Sequence, residues 1–387
     1  MEIDITTDQE MFEPMPPSTF EDLDRRSGIT KVWNRNYRGC GVTIAVIDTG
    51  ISPCAELDNV VVCEKDFSVD NDPHDCGEYS HGTSVARLIH LVAPDAKIAN
   101  FKVFPRDENK QQKLGVVRQS VTEALRYCLN NPKLYPIVNL SLFLPRHSKL
   151  PCTPESPCCV CDLVNQAARD GIIVVAAAGN QGSLNDTIEC PGRAEGAITV
   201  GSCWNSDEKA FYESHVLERG LFGTSFSSAY VAGGIALLLS ANPALTPNEV
   251  RVALKEAAQP LPNEPLNAQG AGMVHFARAL EILVGPSEDA FESKMRRLYY
   301  LTGNSNAQRP DNMYVTQALN LVLDYIDKGL IKRKQITEAT KQLQKIQAYL
   351  VQGCLPDHEK RISDLLQRCR NNYAEDINPQ GRVEETS

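Results

Sequence analysis

No run of apolar residues in this 387-residue chain reaches the roughly 20 that a bilayer-crossing helix needs; the longest lie near 171–178 and 229–239. An apolar leader is missing too. The opening "MEIDITTDQEMFEPMPPSTFEDLD" is acidic and holds no h-region, so the chain reads as cytoplasmic, with no membrane as a partner. Positive charge is in short supply: 39 Lys and Arg face 49 Asp and Glu, a formal charge of −10. That argues against nucleic acid and anionic lipid as partners. No internal repeat is visible. An even cysteine count is also lacking. The 13 cysteines are poorly explained by disulfides in a reducing compartment.

What is present fits an ordinary globular protein: 42% apolar and 23% charged residues, and length for two or three domains. Residues 1–26 are polar, acidic and Pro-rich, and read as a flexible segment. From about residue 40, short β-rich runs alternate with helical patterns. "GVTIAVIDTG" (41–50), "KIANFKVF" (97–104), "PIVNLSLFL" (136–144), "IIVVAAAGN" (172–180) and "GAITVGSC" (196–203) read as strands. Residues 83–92, 116–131 and 162–171 read as helices between them. Continuous apolar strands separated by helices predict an α/β fold with a parallel sheet covered by helices on both faces. Function then collects at the carboxyl ends of the strands, where Asp48, Ser141 and Asn180 fall. After about 285 the strands stop. Residues 311–330, 335–353 and 357–372 have helical patterns, and Ile336, Ala339, Leu343, Ile346 and Leu350 form one apolar stripe. Residues 285–387 therefore read as a small all-α C-terminal domain. Its stripe is buried against a partner, the core or a second copy.

Three segments carry chemistry: "AVIDTGI" with Asp48, "SHGTSVA" with His81 and "GTSFSS" with Ser225. A serine hydroxyl is a weak nucleophile until a base removes its proton, and the base needs an acid to fix its tautomer. Acid, imidazole, hydroxyl is one of the known chain orders for such a triad. A fourth segment, "AAAGNQG", ends an apolar strand on Asn180, whose side-chain N–H suits the negative charge that develops in acyl transfer. Ser225 precedes the uncharged run Val231–Leu239, at a helix start where free backbone N–H groups favour an oxyanion.

Taken in order, "GVTIAVIDTGI", "HGTSVA", "IVNLSL", "VVAAAGN" and "GTSFSSAYVAGGIALL" closely resemble the subtilisin-like serine peptidases, the subtilases. The resemblance runs from about 27 to about 284. It implies Asp48 as orienting acid, His81 as general base, Ser225 as nucleophile and Asn180 as oxyanion-hole amide. It also implies that the segments Ser141-Leu142-Phe143 and Ala177-Ala178-Gly179 flank the substrate's specificity pocket. The substrate is then a peptide or protein, cleaved by a serine endopeptidase without a cofactor.

The chain departs from the family pattern in places. "GTSFSSAY" replaces the usual "GTSMAxPH". Phe143 stands where the pocket strand usually has glycine, which implies limited cleavage of a chosen substrate. The helix after His81 runs straight into "LVAPDAKI", leaving no room for the loop that binds calcium in relatives, so no calcium is expected there. The stretch between Asn180 and Ser225 is compact and lacks the usual "APG". Only 26 residues precede the family-like region, too few for a folded inhibitory propeptide; they are either idle or lie across the groove. "CTPESPCCVC" with Cys190 raises a metal question. Cys158 and Cys161 have ligand spacing, but one CxxC without a second pair assigns no metal. Zinc, a disulfide and free thiols all stay open for Cys152, Cys158, Cys161 and Cys190. A catalytically silent or latent peptide-binding protein on the same scaffold, gated by its C-terminal helices, is the alternative to an active enzyme.

Overall fold

Six strands form one sheet in the computed structural model: β1 (Thr43–Asp48), β2 (Val61–Asp66), β3 (Lys97–Lys102), β4 (Ile137–Leu140), β5 (Ile173–Ala177) and β6 (Ala197–Val200). Their order is β2-β3-β1-β4-β5-β6, and every neighbouring pair is parallel. The structure describes residues 20–77, 80–106, 110–144, 152–153, 157–182, 187–202, 223–261, 264 and 266–285. Packing divides the chain into Met1–Leu280 and Glu281–Ser387. The helices expected at 311–330, 335–353 and 357–372, and most of the stretch between Asn180 and Ser225, lie outside the described residues.

β1, β4 and β5 are apolar almost throughout because helices bury both of their faces. β2 has no such pattern and is not among the strands expected from the sequence. It is one of the sheet's two edges, with Val62 56% exposed and Glu64 and Lys65 interrupting the apolar run. The helices are α1 (Phe20–Ser27), α2 (Ile29–Trp33), α3 (His81–Val92), α4 (Lys110–Leu129), α5 (Cys159–Arg169), α6 (Thr224–Ala241), α7 (Pro247–Ala257), α8 (Leu266–Gln269) and α9 (Phe276–Val284). α1 turns the end of the segment read as flexible into ordered structure. Its anchor is a hydrogen bond of 2.6 Å between the hydroxyls of Ser27 and Tyr230.

α3 and α6 pack together over one face of the sheet, and α4 and α5 over the other. The two-residue period of a strand then sorts the side chains. Ala45, Ile47, Val138, Leu140, Val174 and Ala176 join the core beneath α4 and α5. The alternate positions, Asp48, Asn139 and Ser141 among them, face α3 and α6. α6 passes by length and composition as a membrane-crossing helix, longer than the apolar run read from the sequence, yet its window is 83% buried inside the domain. Gly233 and Gly234 make that packing possible. A Cβ on Gly234 would lie 2.0 Å from Phe276 Cζ, and one on Gly233 would lie 2.8 Å from Val92 Cβ. α7 opens with a capping box, Glu249 N–H donating to Thr246 Oγ1 and Thr246 N–H to Glu249 Oε2.

Candidate active site

The chain runs from β1 out to β2 on one side and returns to β4 on the other, so the topology switches between β1 and β4. Crevices at such switch points, outside the carboxyl ends of the strands, are where open α/β sheets hold ligands. Asp48 is the last residue of β1, and Ser141 follows the last residue of β4. Both point toward α3 and α6, whose first residues are His81 and Thr224.

His81 Nδ1 and Asp48 Oδ1 lie 2.7 Å apart. Asp48 is 1% exposed, whereas the His81 side chain keeps 28% of its surface open. Thr49 N–H donates to the same carboxylate oxygen at 2.7 Å. A carboxylate oxygen accepts only, so Nδ1 carries the proton and Nε2 is left as a base. Burial alone would lower the His81 pKa. The charge and hydrogen bond of Asp48 outweigh it and leave the imidazole above its ordinary value.

The start of α3 is held by a residue with no place in the sequence-derived triad. Ser80 precedes the helix in a left-handed conformation and supplies no side-chain cap. Asp75 does that work from the preceding loop. Its Oδ2 accepts from Thr83 N–H at 2.7 Å and from the Thr83 hydroxyl at 2.6 Å. Its Oδ1 accepts from the Thr49 hydroxyl at 2.7 Å and from Gly77 N–H at 2.8 Å. Gly82 N–H closes the circuit by donating to Thr49 Oγ1 at 2.9 Å. Asp75 thus ties the residue after Asp48 to the first turn that carries His81. Lys102, wholly buried on β3, anchors the same loop through Asp70 Oδ2 at 2.8 Å and the Asp72 carbonyl at 2.9 Å. Only glycine fits at 82, since a Cβ there would lie 2.2 Å from the Gly50 carbonyl oxygen.

Ser225 sits one residue into α6, partly exposed. Its Oγ donates to the Ser141 carbonyl at 3.2 Å rather than to His81. The sequence reading expected three side chains within hydrogen-bonding reach; the structure joins two and turns the third aside. The physical reason is local: Ser141 lies beneath the serine, and its hydroxyl donates to the Ser225 carbonyl at 2.7 Å. Neighbouring Phe226 packs its ring 5.5 Å from the His81 ring, centroid to centroid, so Ser225 and His81 belong to one locality.

Asn180 follows β5 and is exposed. Thr224 N–H and the Thr224 hydroxyl both donate to its Oδ1 at 3.1 Å. Those donors fix the amide's orientation and leave Nδ2 as its outward donor. Gly223 (φ 104°) adopts a backbone that favours glycine, and a Cβ there would lie 3.1 Å from the Asn180 amide. Thr224 also accepts from Gly179 N–H at 3.2 Å.

Among the residues expected to flank a specificity pocket, Phe143, Ala178 and Gly179 are partly exposed. Ser141, Leu142 and Ala177 are buried. Leu142 packs with the core under α4 and α5, as strand alternation requires, so only its backbone is placed to meet a peptide. The roles of Asp75 and Thr224 escape a reading of the sequence because their partners lie up to 45 residues away in the chain. Of the cysteines the sequence offered beside Cys158 and Cys161, the fold brings both Cys152 and Cys190 to that turn.

A parallel α/β sheet with an acid–imidazole pair at its switch point and a serine at the adjoining helix start defines a serine hydrolase class. The Subtilase family matches residues 39–217 and 217–272. Subtilisin BL of Lederbergia lenta is 30% identical over 274 residues, covering 64% of this chain and 93% of that protein. Serine protease AprX of Bacillus subtilis is 28% identical over 296 residues, covering 61% of this chain and 65% of its own. Among solved structures, MycP1 from Mycobacterium smegmatis superposes with a TM-score of 0.51 at 21% identity, over 69% of this chain and 86% of that one. A lanthipeptide protease superposes at 0.52 and 19% identity, over 66% and 93%. The two structural likenesses show the fold. The chain belongs to the subtilase family of serine endopeptidases.

Proposed function

We propose that Ser225 is the nucleophile, His81 its general base, Asp48 the orienting acid, and Asn180 Nδ2 with the Ser225 backbone N–H the oxyanion donors. The observation that carries this reading is the 2.7 Å contact between His81 Nδ1 and a buried Asp48, on the face where the Ser225 helix begins. This reading requires the Ser225 hydroxyl to turn from the Ser141 carbonyl to His81 Nε2. Apo enzymes often hold such catalytic hydrogen bonds loosely. As Oγ bonds to the peptide carbonyl carbon, its proton passes to Nε2, and the carbonyl oxygen becomes an oxyanion between its donors. Collapse breaks the C–N bond and the amine leaves with that proton. Water, deprotonated by the same imidazole, then cleaves the acyl ester and restores the serine. The peptide is an added strand along the groove edge beside the segments 141–143 and 177–179.

Phe143, partly exposed where the resemblance expects glycine, supports limited cleavage of a chosen protein or precursor peptide. None of the ten described cysteines is in a disulfide, which supports a reducing, cytoplasmic setting. A fluorophosphonate probe tests the chemistry. It is expected to label Ser225 in the full chain and to leave Ser225→Ala unlabelled.

A second reading rests on the Ser225 hydroxyl's hold on the Ser141 carbonyl. The resting chain is then latent, and an activator or substrate turns the serine. A rise in probe labelling on adding peptide substrate, from a near-zero base, selects this reading; full labelling without peptide removes it.

A further inference from the structure

The sulfurs of Cys152, Cys158, Cys161 and Cys190 come together behind the active site, all within 4.8 Å of one another. They arrive from three separate pieces of chain. Cys152 lies in the connection after β4. Cys158 is the residue before α5 and Cys161 lies in that helix's first turn. Cys190 lies between β5 and β6, bridged in antiparallel fashion to Leu144. Cys152, Cys161 and Cys190 are buried at 6%, 1% and 2% exposure.

The spacing argues against a disulfide, one of the three chemistries the sequence left open. A disulfide needs sulfurs about 2.05 Å apart. The Sγ atoms of Cys158 and Cys190 are 3.8 Å apart. A tetrahedron of thiolates at about 2.3 Å from a central zinc has edges of about 3.8 Å. Six sulfur pairs confined to 4.8 Å leave room for one ion at the centre and none for a multinuclear cluster, whose thiolates stand outside it. The surroundings suit the charge of such a centre. Cys158 N–H donates to Cys152 Sγ at 3.2 Å, and no side chain caps the start of α5, whose dipole favours anions. Arg118 Nη1 lies 3.9 Å from Cys158 Sγ, so a cation faces the thiolates.

We propose that these four cysteines form a structural zinc site. Four protein donors close the coordination sphere and leave no position for water or substrate, so the ion takes no part in catalysis. Its place in the fold gives it a positioning task. Leu144 N–H donates to the Cys190 carbonyl at 2.7 Å, one residue beyond Phe143. Glu189 N–H donates to the Ala178 carbonyl at 3.1 Å. The ion would staple both segments, 141–144 and 177–179, to α5. That these segments border the substrate groove rests on the function proposed above; the site itself does not.

The test uses the full chain carrying Ser225→Ala, which cannot digest itself, so metal content is read independently of any cleavage. Elemental analysis after purification without chelator is expected to find about one zinc per chain. Cobalt exchanged into the site should show the intense visible bands of a tetrahedral thiolate centre. Cys161→Ser and Cys190→Ser should each lose the zinc and melt several degrees lower, whereas Cys159→Ser, at an exposed neighbour outside the cluster, should keep both. Should a variant fail to fold, chelation of the unaltered chain gives the same answer: four additional thiols become open to alkylation as zinc leaves. A zinc-free chain after expression in zinc-supplemented medium overturns the proposal. So does zinc retained by both serine variants, iron in its place, or a disulfide within the cluster.

Discussion

The two halves of the site differ in how firmly they are built. At the Asp48–His81 end most polar groups have partners: Asp48 holds the imidazole, and Asp75 alone accepts four hydrogen bonds that lock β1 to α3. At the Ser225 end α6 is buried and the Ser141 hydroxyl donates to the Ser225 carbonyl, yet the Ser225 hydroxyl itself rests on a backbone carbonyl. On the proposed assignment the base is held in place by Asp48, whereas the serine hydroxyl has still to turn toward it. An arrangement of that kind can serve either a constitutive enzyme or one that waits for its substrate.

The largest effect falls on Ser225. Ser225→Ala should lower kcat by about 10⁶, a magnitude measured on subtilisin and carried over to this relative. Adding His81→Ala should cost almost nothing more, because the two act as a unit; an additive loss in peptide-hydrolysis assays would break the pairing. Next comes the built end. Asp48→Asn should cost about 10⁴ in kcat by releasing the tautomer. In the unaltered chain the Asp48 charge holds His81 above its ordinary 6.5, against the pull of burial. Protonated His81 cannot accept a proton, so kcat/KM should rise with pH through that raised value and then level. The stabilisation from the charged pair runs oppositely. It is complete below the unfolded pKa of about 6.5 and is lost as pH climbs through the folded one, a trend that denaturant melts at stepped pH will follow.

Asn180→Ala should lower kcat by about 10²–10³ with little change in KM, again a subtilisin-derived magnitude. Asp75→Ala should cost about 2 kcal/mol of stability in urea unfolding and about tenfold in kcat, with Asp75→Asn recovering part of both. The smallest effect is on selectivity. Phe143→Gly should widen the range of residues accepted before the cut by a few-fold, read by mass spectrometry of a cleaved peptide library.

Much of the sheet was legible because burial forces β1, β3, β4 and β5 into apolar runs; β2 was hidden because Glu64 and Lys65 break its apolar run, whereas β6, at the opposite edge, keeps a short apolar one. Asp48, His81, Asn180 and Ser225 stood out because each lies at or just beyond the end of an element, in a recognisable segment. Leu142 could be placed beside the pocket by resemblance, but only the strand's alternation shows that its side chain turns into the core. Asp75 carries no local mark: its partners are Thr49, Gly77 and Thr83, and folding alone assembles them. The cysteines were half legible. Cys158 and Cys161 announce themselves by spacing, whereas Cys152 and Cys190 join them only once β4, β5 and α5 are in place.

The most direct measurement of the central claim is a crystal structure of the full chain inactivated by a peptidyl phosphonate. Phosphorus is expected on Ser225 Oγ, its oxygen about 2.7–3.1 Å from Asn180 Nδ2 and the Ser225 N–H, and His81 Nε2 turned to the former hydroxyl. An adduct on another residue, or a Ser225 adduct whose oxygen faces neither donor while His81 stays apart from it, would contradict it.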